Sequence, residues 1–406
     1  MIDRRSIFTA TAAIGTFLAS AFSSKKIKAR MQDKYPGHTY KNGSPVGDVE
    51  PRGSIGRMER LPTLRIEGVH DFTCGMRTFL NKHSRKLVTR ADKLIQDSGR
   101  DPKKEIPATE AMKVLDKDTL LGTSGRMWIS NQQVTWKILQ DHYHENADEY
   151  LAEMEAADND GPGTLELNPN MEIPDYTKHE IHIQPGGYVG DAFAGPIYHY
   201  GTLSFYNGVM GDNTQDQIHV STANRLPLPE DGVVKRILVQ GCGLGQMTVA
   251  LAERFPEAEV WGIDVGGPLV RYGHMRAREL GVPVNFAQRL AEDSKFPDNH
   301  FDIVTSYIIN HELPQDKNRE VIKEAYRVTR PGGYYYPVDF LTGGSKGKPY
   351  SNYRRWWDHR WNNEVWSYEY HTFEFDKEIE KAGFKINPNT PAALPRFGKR
   401  HAVKEA

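Results

Sequence analysis

Cysteine is scarce in this 406-residue chain, which carries only Cys74 and Cys242. This scarcity excludes a disulfide framework and a cysteine-rich zinc site. The sequence also lacks the phosphate-loop motif, the G-x-S-x-G nucleophile elbow and the H-E-x-x-H metal motif. The hydrolase classes that depend on those motifs are therefore not indicated.

An excess of charge of one sign is also absent, since 52 Lys and Arg residues stand against 53 Asp and Glu residues. A neutral balance without a basic stripe predicts no nucleic-acid partner. Two histidine pairs have no third ligand at a persuasive spacing, so we predict no metal site. These pairs are His142 with His144 and His179 with His182.

What the chain does contain is a glycine turn between two apolar runs, in the sequence ILVQGCGLG at residues 237–245. The first run reads as a buried parallel strand, and the glycines permit a tight turn whose backbone approaches a ligand that any Cβ would repel. Asp264 ends the second run, where a carboxylate can accept hydrogen bonds from both hydroxyls of a ribose. The pattern predicts a site for a cofactor that carries a nucleoside.

The glycine spacing separates two kinds of cofactor. A dinucleotide site favours G-x-G-x-x-G, whereas here the third glycine comes one residue early and Gln246 stands where that motif has glycine. At this point the chain resembles the class I S-adenosylmethionine-dependent methyltransferases. The resemblance continues through an adenine loop at 291–299, a fourth strand at 301–304, a turn into the fifth strand at 327–333, and a closing antiparallel hairpin at 384–386 and 396–403.

The resemblance implies an α/β fold, a doubly wound Rossmann-like sheet of seven strands, with S-adenosylmethionine as the cofactor. It also assigns cofactor contacts: a cradle at Gly241, Gly243 and Gly245, the ribose at Asp264, the adenine along Ala291 and Glu292, and the end of the first strand at Gln240. The sequence departs from the family pattern at two of these places. Gln240 replaces an acid, and Leu290 replaces an aspartate before the adenine loop.

The loop after the fourth strand is the candidate catalytic site, because ligands of doubly wound sheets bind beyond the carboxyl ends of the strands. It contains Asn310, His311 and Glu312. We predict His311 as general base, since an ordinary histidine titrates near neutral pH. The alternative is that His311 and Glu312 cap the following helix.

Two aromatic segments are candidate substrate walls. Tyr198, Tyr200 and Tyr206 lie in a Gly- and Tyr-rich stretch, and Trp357 and Trp361 lie in an insertion rich in aromatic and basic residues. Such walls suit a lipophilic or aromatic acceptor, including an anionic one. The alternative is that the tyrosines are buried with bonded tips and that the tryptophans anchor the N-terminal helices.

We expect four segments along the chain. Residues 1–30 combine Arg4 and Arg5 with a mildly apolar run and a basic cluster, which resembles a twin-arginine signal. This segment predicts an exported (periplasmic) or membrane-associated protein that makes transient contact with the export machinery. The alternative is a cytoplasmic protein with an N-terminal arm. Residues 31–62 read as a linker, 63–228 as a helical and loop-rich accessory domain, and 229–406 as the methyltransferase domain.

Within the accessory domain, an apolar stripe at helical spacing runs from Ile129 to Met154, interrupted by Gln132, and residues 161–224 read as a long loop. The predicted function is methyl transfer from S-adenosylmethionine to a small molecule. The alternatives are an NAD-dependent oxidoreductase and a non-catalytic protein that binds the cofactor.

Overall fold

The structure is a computed structural model. It describes residues 54–55, 58–59, 61–206, 214–340, 342, 348–390, 392–393, 397–398 and 400–405. The predicted signal at 1–30 and most of the predicted linker lie outside these residues, so the localisation stays a prediction. Among the described helices, none is both long enough and apolar enough to cross a membrane.

The described residues form twelve α-helices and ten strands. The helices are α1 (Leu64–Asp97), α2 (Ala108–Leu115), α3 (Thr119–Glu145), α4 (Ala147–Ala157), α5 (Ala194–Tyr206), α6 (Thr214–Arg225), α7 (Gln246–Arg254), α8 (Gly267–Leu280), α9 (Gln315–Val328), α10 (Pro349–Trp361), α11 (Ser367–Tyr370) and α12 (Phe375–Lys381). The strands are β1 (Ser54–Ile55), β2 (Met58–Glu59), β3 (Leu165–Glu166), β4 (Arg236–Gln240), β5 (Glu259–Asp264), β6 (Asn285–Gln288), β7 (Phe301–Tyr307), β8 (Thr329–Val338), β9 (Lys385–Ile386) and β10 (Ala402–Val403).

The main sheet has the order β3-β6-β5-β4-β7-β8-β10-β9, parallel from β3 to β8 and antiparallel at β10 and β9. The predicted α/β class, the buried first strand and the closing hairpin are confirmed, and Ala402 pairs with Ile386 in that hairpin. The order in which successive strands are added to the sheet reverses at β4, which has β5 on one side and β7 on the other. Ligands of doubly wound sheets bind at such a switch point.

The sheet has eight strands in the described residues, not the seven we expected. The additional strand is β3, which comes from the accessory region and pairs in parallel with β6, with Leu165 opposite Phe286. A Cβ on Gly163 would lie 1.9 Å from the carbonyl oxygen of Val284, so glycine is required for this approach. A two-residue strand has no periodicity to detect, which is why the sequence does not reveal it.

The accessory region is helical where the stripe predicted helices, since α3 and α4 contain Trp136, Leu139 and Met154 in buried positions. Gln132, which interrupts the stripe, is buried as well. Its Oε1 accepts a hydrogen bond from Arg77 at 2.9 Å. The polar residue in the stripe therefore belongs to a buried hydrogen-bonded cluster, as buried polar groups generally do.

The long loop expected at residues 161–224 contains two helices instead, α5 and α6. Glycine is a poor helix former, but in α5 it serves helix packing. A Cβ on Gly201 would lie 1.8 Å from the Trp136 ring, and one on Gly195 would lie 2.4 Å from the Cβ of Tyr272. The glycines that suggest a loop in the sequence thus allow α5 to pack closely against α3 and α8.

Candidate functional site

A crevice with about 1180 Å³ of empty space, part of it open solvent, lies at the carboxyl ends of the central strands. One half is formed by the glycine turn after β4, by the end of β5 and by the loop at 290–292. The other half is formed by the loop after β7 and by accessory residues between 176 and 219. We call these the cofactor half and the acceptor half.

The glycine turn is built as the sequence predicts, with positive φ at Gly241 (60°), Gly243 (52°) and Gly245 (74°). A Cβ on Gly241 would lie 1.9 Å from Ile309 Cδ1, and one on Gly245 would lie 2.2 Å from the Phe286 ring. Gly243 has no atom within 4 Å of its ideal Cβ position. Two glycines therefore permit packing, and Gly243 leaves the crevice open.

Asp264 lines the crevice next to this turn. Its Oδ2 accepts a hydrogen bond from the Gly243 amide at 2.9 Å, and its Oδ1 accepts one from the Gly266 amide at 2.8 Å. Burial raises the pKa of Asp264, while these two amides partly offset the rise. The backbone thus fixes the carboxylate beside the open glycine.

The adenine loop contributes Leu290, Ala291 and Glu292 to the crevice wall. Glu292 accepts a hydrogen bond from the Tyr176 hydroxyl at 2.6 Å, which ties the loop to the accessory region. Gln240 is fully buried beneath the loop and donates from Nε2 to the carbonyl of Ala291 at 2.9 Å. Gln240 therefore supports the loop and does not line the crevice.

Asn310 organises the loop after β7. Its backbone amide donates to Asp339 Oδ2 at 2.7 Å, its Oδ1 accepts from Ser306 at 3.2 Å, and its Nδ2 donates to Asn318 at 3.0 Å. Asn310 is completely buried and is not part of the crevice wall. Its side chain holds the loop in place.

His311 is buried between two carboxylates. Its Nδ1 lies 2.8 Å from Asp339 Oδ1 and its Nε2 lies 3.2 Å from Glu312 Oε1. Burial alone lowers the pKa of His311, but Asp339 and Glu312 outweigh burial and raise it well above the ordinary value. His311 therefore carries a proton at neutral pH and has both nitrogens engaged, which argues against the general-base role that we predicted.

Glu312 is the member of the predicted trio that lines the crevice. Burial, followed by the charge of Glu364, raises the pKa of Glu312 to about 6, against the opposing effects of His311 and His182. A carboxylate with this pKa is ionised at neutral pH and can take up a proton. It lies in the acceptor half, beside Ile309 and Leu313.

Three of the predicted substrate residues, Tyr200, Trp357 and Trp361, lie outside the crevice. Tyr200 packs edge-on to His70 with ring centres 6.4 Å apart, and the side chain of Tyr206 is outside the described residues. Trp357 is buried against Trp128 and packs so closely on Gly125 that a Cβ added there would lie within 3 Å of its ring. Trp361 is 49% exposed. Neither tryptophan lines the crevice, and Trp357 occupies the anchoring position of the alternative interpretation.

The acceptor half contains residues that the sequence did not single out. Among them are Tyr176, His179, Ile181, Tyr188 and His219, together with Tyr198, which the sequence did indicate. They lie in the Gly-, His- and Tyr-rich region whose composition was the available signal. Composition marks such a region but does not tell which side chains turn toward the sheet.

Comparison with known proteins agrees with the resemblance in the sequence. Residues 237–333 match the family model described as "Methyltransferase domain", which confirms the resemblance for this segment. The demethylmenaquinone methyltransferase of Geobacillus kaustophilus is 37% identical over 101 residues, which are 24% of this chain and 42% of that protein. The fatty-acid O-methyltransferase of Mycolicibacterium smegmatis is 34% identical over 105 residues, which are 26% of this chain and 37% of that protein.

The chain thus spans less than half the length of these two relatives. Among solved structures, it is similar to phosphoethanolamine N-methyltransferase 2 of Haemonchus contortus in complex with S-adenosyl-L-methionine. The TM-score is 0.33 and the identity 19%, over 43% of this chain and 38% of that one. The family-model match, residues 237–333, covers the cofactor half of the crevice and the loop after β7.

Proposed function

We propose that this chain transfers a methyl group from S-adenosylmethionine to a small-molecule acceptor. The observation that carries the proposal is the open position at Gly243 beside a backbone-fixed Asp264, in a segment that matches a methyltransferase family model. Gly243 gives a nucleoside room, Asp264 receives its ribose hydroxyls, and Ala291 and Glu292 line the place of its adenine. The sulfonium supplies an already activated methyl group.

The wall of the acceptor half defines the class of acceptor. Its aromatic and aliphatic side chains include Tyr188, Tyr198 and Leu313, and no Lys or Arg is present among the described lining residues. Glu312 gives this half negative charge, which disfavours an anionic acceptor in a site partly shielded from water. The acceptor we propose is therefore uncharged and lipophilic or aromatic, and the anionic acceptors allowed by the sequence are not favoured.

The acceptor half also offers two hydrogen-bond acceptors. Glu312 is one, and His179 is the other, because the carbonyl of Tyr176 takes one ring N–H while Nε2 is buried without a hydrogen-bond partner among the described residues. Burial lowers the pKa of His179 and keeps the ring neutral. An acceptor with a hydroxyl or amine group complements both residues, and Glu312 can take the proton that it loses.

Isothermal titration of the full chain tests the cofactor assignment. We expect S-adenosylmethionine to bind and NAD to show no measurable heat, because the turn lacks the third glycine spacing of a dinucleotide site. Binding of NAD in preference to S-adenosylmethionine would favour the oxidoreductase. Binding of S-adenosylmethionine without turnover across a panel of phenols, quinols and amines would favour the non-catalytic alternative.

His179→Ala is expected to raise the KM for the acceptor about 5- to 10-fold, since it removes one hydrogen bond worth about 1 kcal/mol. The Kd for S-adenosylmethionine should stay within twofold, because His179 lies in the acceptor half. Steady-state kinetics and titration calorimetry measure the two values. His83→Ala on α1, outside the crevice, is the control, and an equal change of both constants would contradict the assignment of His179.

A further inference from the structure

Glu364 follows α10 in the chain and is buried close to the acceptor half. Its Oε1 lies 2.7 Å from Nδ1 of His182 and accepts a longer hydrogen bond, at 3.4 Å, from Asn362. Burial by itself raises the pKa of Glu364, but His182 outweighs burial and lowers it. Glu364 is therefore an ionised carboxylate bound to one imidazole.

His182 lies between Glu364 and Glu312. Its other ring nitrogen, Nε2, is 3.8 Å from Glu312 Oε1. Burial alone lowers the pKa of His182, but Glu364 and then Glu312 raise it above the ordinary value. The residue has a φ of 51°, and Ile183 has a φ of 54°, which non-glycine residues rarely adopt. The fold thus maintains a strained turn at the point where it directs this ring between two carboxylates.

Glu312 Oε1 also faces Nε2 of His311, and the other ring nitrogen of His311, Nδ1, lies next to Asp339 Oδ1. A continuous chain of groups results, Asp339–His311–Glu312–His182–Glu364, which we call the carboxylate–imidazole chain. It contains three carboxylates and two imidazoles. When both imidazoles are charged, two of the three negative charges are balanced and one remains.

The remaining charge belongs to the central carboxylate. Asp339 and Glu364 each have one imidazolium as a direct partner below 3 Å, whereas Glu312 shares both at longer distances. Asp358, a half-buried acid near Glu364, is paired with Arg354 at 2.9 Å. Glu312 is therefore the group whose protonation neutralises the chain, and it is also the one that lines the crevice.

We propose that His182 and Glu364 are positioning residues: Glu364 holds the His182 ring in place, and His182 in turn keeps the Glu312 carboxylate ionised and oriented at the crevice wall so that it can accept the proton of the methyl acceptor. The inference rests on the proposed function and names two residues that lie outside the segment matched by the methyltransferase model. The acceptor's oxygen or nitrogen forms a bond to the methyl carbon while the S–CH₃ bond of the sulfonium breaks and leaves a neutral thioether. The proton of the acceptor's O–H or N–H group becomes the carboxyl proton of Glu312. The two imidazolium rings keep their own protons.

The same three side chains, His182, Glu312 and Glu364, bring ligand atoms within 4.8 Å of one another, a spread that a divalent cation could contract. No third ligand for His182 was evident from the sequence, because Glu312 and Glu364 are both far from it along the chain. In the structure each ring nitrogen of His182 faces a carboxylate oxygen, which is the arrangement of an imidazolium between two carboxylates. The experiments below distinguish a protonated His182 that positions Glu312 from a metal ion bound by the three side chains.

The test is the pKa of Glu312, read by NMR on full-length protein labelled with carboxyl-¹³C glutamate, with the signal assigned by its loss in Glu312→Gln. His182→Gln removes a cation 3.8 Å away and should raise the pKa of Glu312 by about one unit or more. The acid limb of kcat should move to higher pH by the same amount. The Kd for S-adenosylmethionine should be unchanged.

Glu364→Gln should lower the pKa of His182, whose ring signals report it in the same spectra, and Glu364→Asp should restore the wild-type acid limb of kcat. The matched control is His144→Gln, which breaks another histidine–carboxylate pair, with Asp191 at 2.9 Å, outside the crevice. It should leave the pKa of Glu312 unmoved.

An unmoved Glu312 signal in folded His182→Gln overturns the proposal, as does stoichiometric binding of Zn²⁺ or Mn²⁺ that this variant abolishes. If His182→Gln does not fold, a His182 pKa in Glu364→Gln equal to that of the wild type overturns it instead. Because the NMR readout needs no turnover, a shifted Glu312 with no methyl transfer would count against the proposed function alone.

Discussion

Glu312→Gln is expected to lower kcat for methyl transfer by about 10² to 10⁴, the usual contribution of a general base. The amide keeps the shape of the side chain and its place beside His311 but cannot take a proton. Binding of S-adenosylmethionine should stay within about twofold, because Glu312 lies in the acceptor half. Single-turnover kinetics with a saturating acceptor, combined with titration calorimetry, separates the two effects.

The pH dependence of kcat/KM gives the same prediction a second measurement. The pKa of Glu312 is raised to about 6, so the active carboxylate is lost as pH falls through that value, and activity should fall tenfold per unit below it. This acid limb should be absent from the residual activity of Glu312→Gln. Glu320→Gln, on the exposed face of α9, is the control. A wild-type rate in Glu312→Gln would remove this carboxylate from the mechanism.

The surroundings of His311 and Glu312 favour Glu312 as the base in this loop, whereas the sequence favoured His311. A histidine with an ordinary pKa suits proton transfer at neutral pH, and His311 has that chemistry in isolation. Asp339 follows β8, and its carboxylate next to His311 stabilises the protonated ring, so that His311 is not available as a base. Glu312 then becomes the group that titrates closest to neutrality. Only the fold shows which of the two adjacent residues lines the crevice.

The cofactor half could be predicted because its requirements are local. A backbone turn with three positive φ values favours glycine at fixed positions. Asp264, at the tip of the neighbouring strand, accepts a hydrogen bond from the amide of Gly243 in that turn. Such demands leave a contiguous pattern in the sequence. The spacing of the later strands, up to the hairpin of β9 and β10, added further evidence of the same kind.

The acceptor half could not be predicted in the same way, because its residues meet only through long-range packing. His182 and Glu364 lie on either side of most of the methyltransferase domain in the sequence. Neither lies on a long helix or strand whose periodicity would reveal which way its side chain points. Trp357 shows the converse, since a dense aromatic segment suggested a substrate wall and instead packs on α3 through Gly125. Aromatic density reports a large buried surface without identifying what that surface contacts.

Gly243→Ala is expected to weaken S-adenosylmethionine binding about 10- to 100-fold in a protein that remains folded. The ideal Cβ meets no atom within 4 Å, so the effect on folding is limited to the left-handed backbone, at about 1–2 kcal/mol. In the complex, the added methyl group would occupy the space through which the cofactor approaches the turn, with an overpacking energy of about 1–3 kcal/mol. Titration calorimetry gives the Kd, and thermal unfolding gives the stability.

Gly232→Ala separates backbone strain from obstruction. Gly232 also has a positive φ, 70°, and no atom within 4 Å of its ideal Cβ, but it precedes β4 and lies outside the crevice. Both variants should therefore lose similar stability, while Gly243→Ala alone loses affinity. Equal affinity in the two variants would mean that the cofactor does not approach the turn at Gly243, and the cofactor half would then lack the property on which its assignment depends.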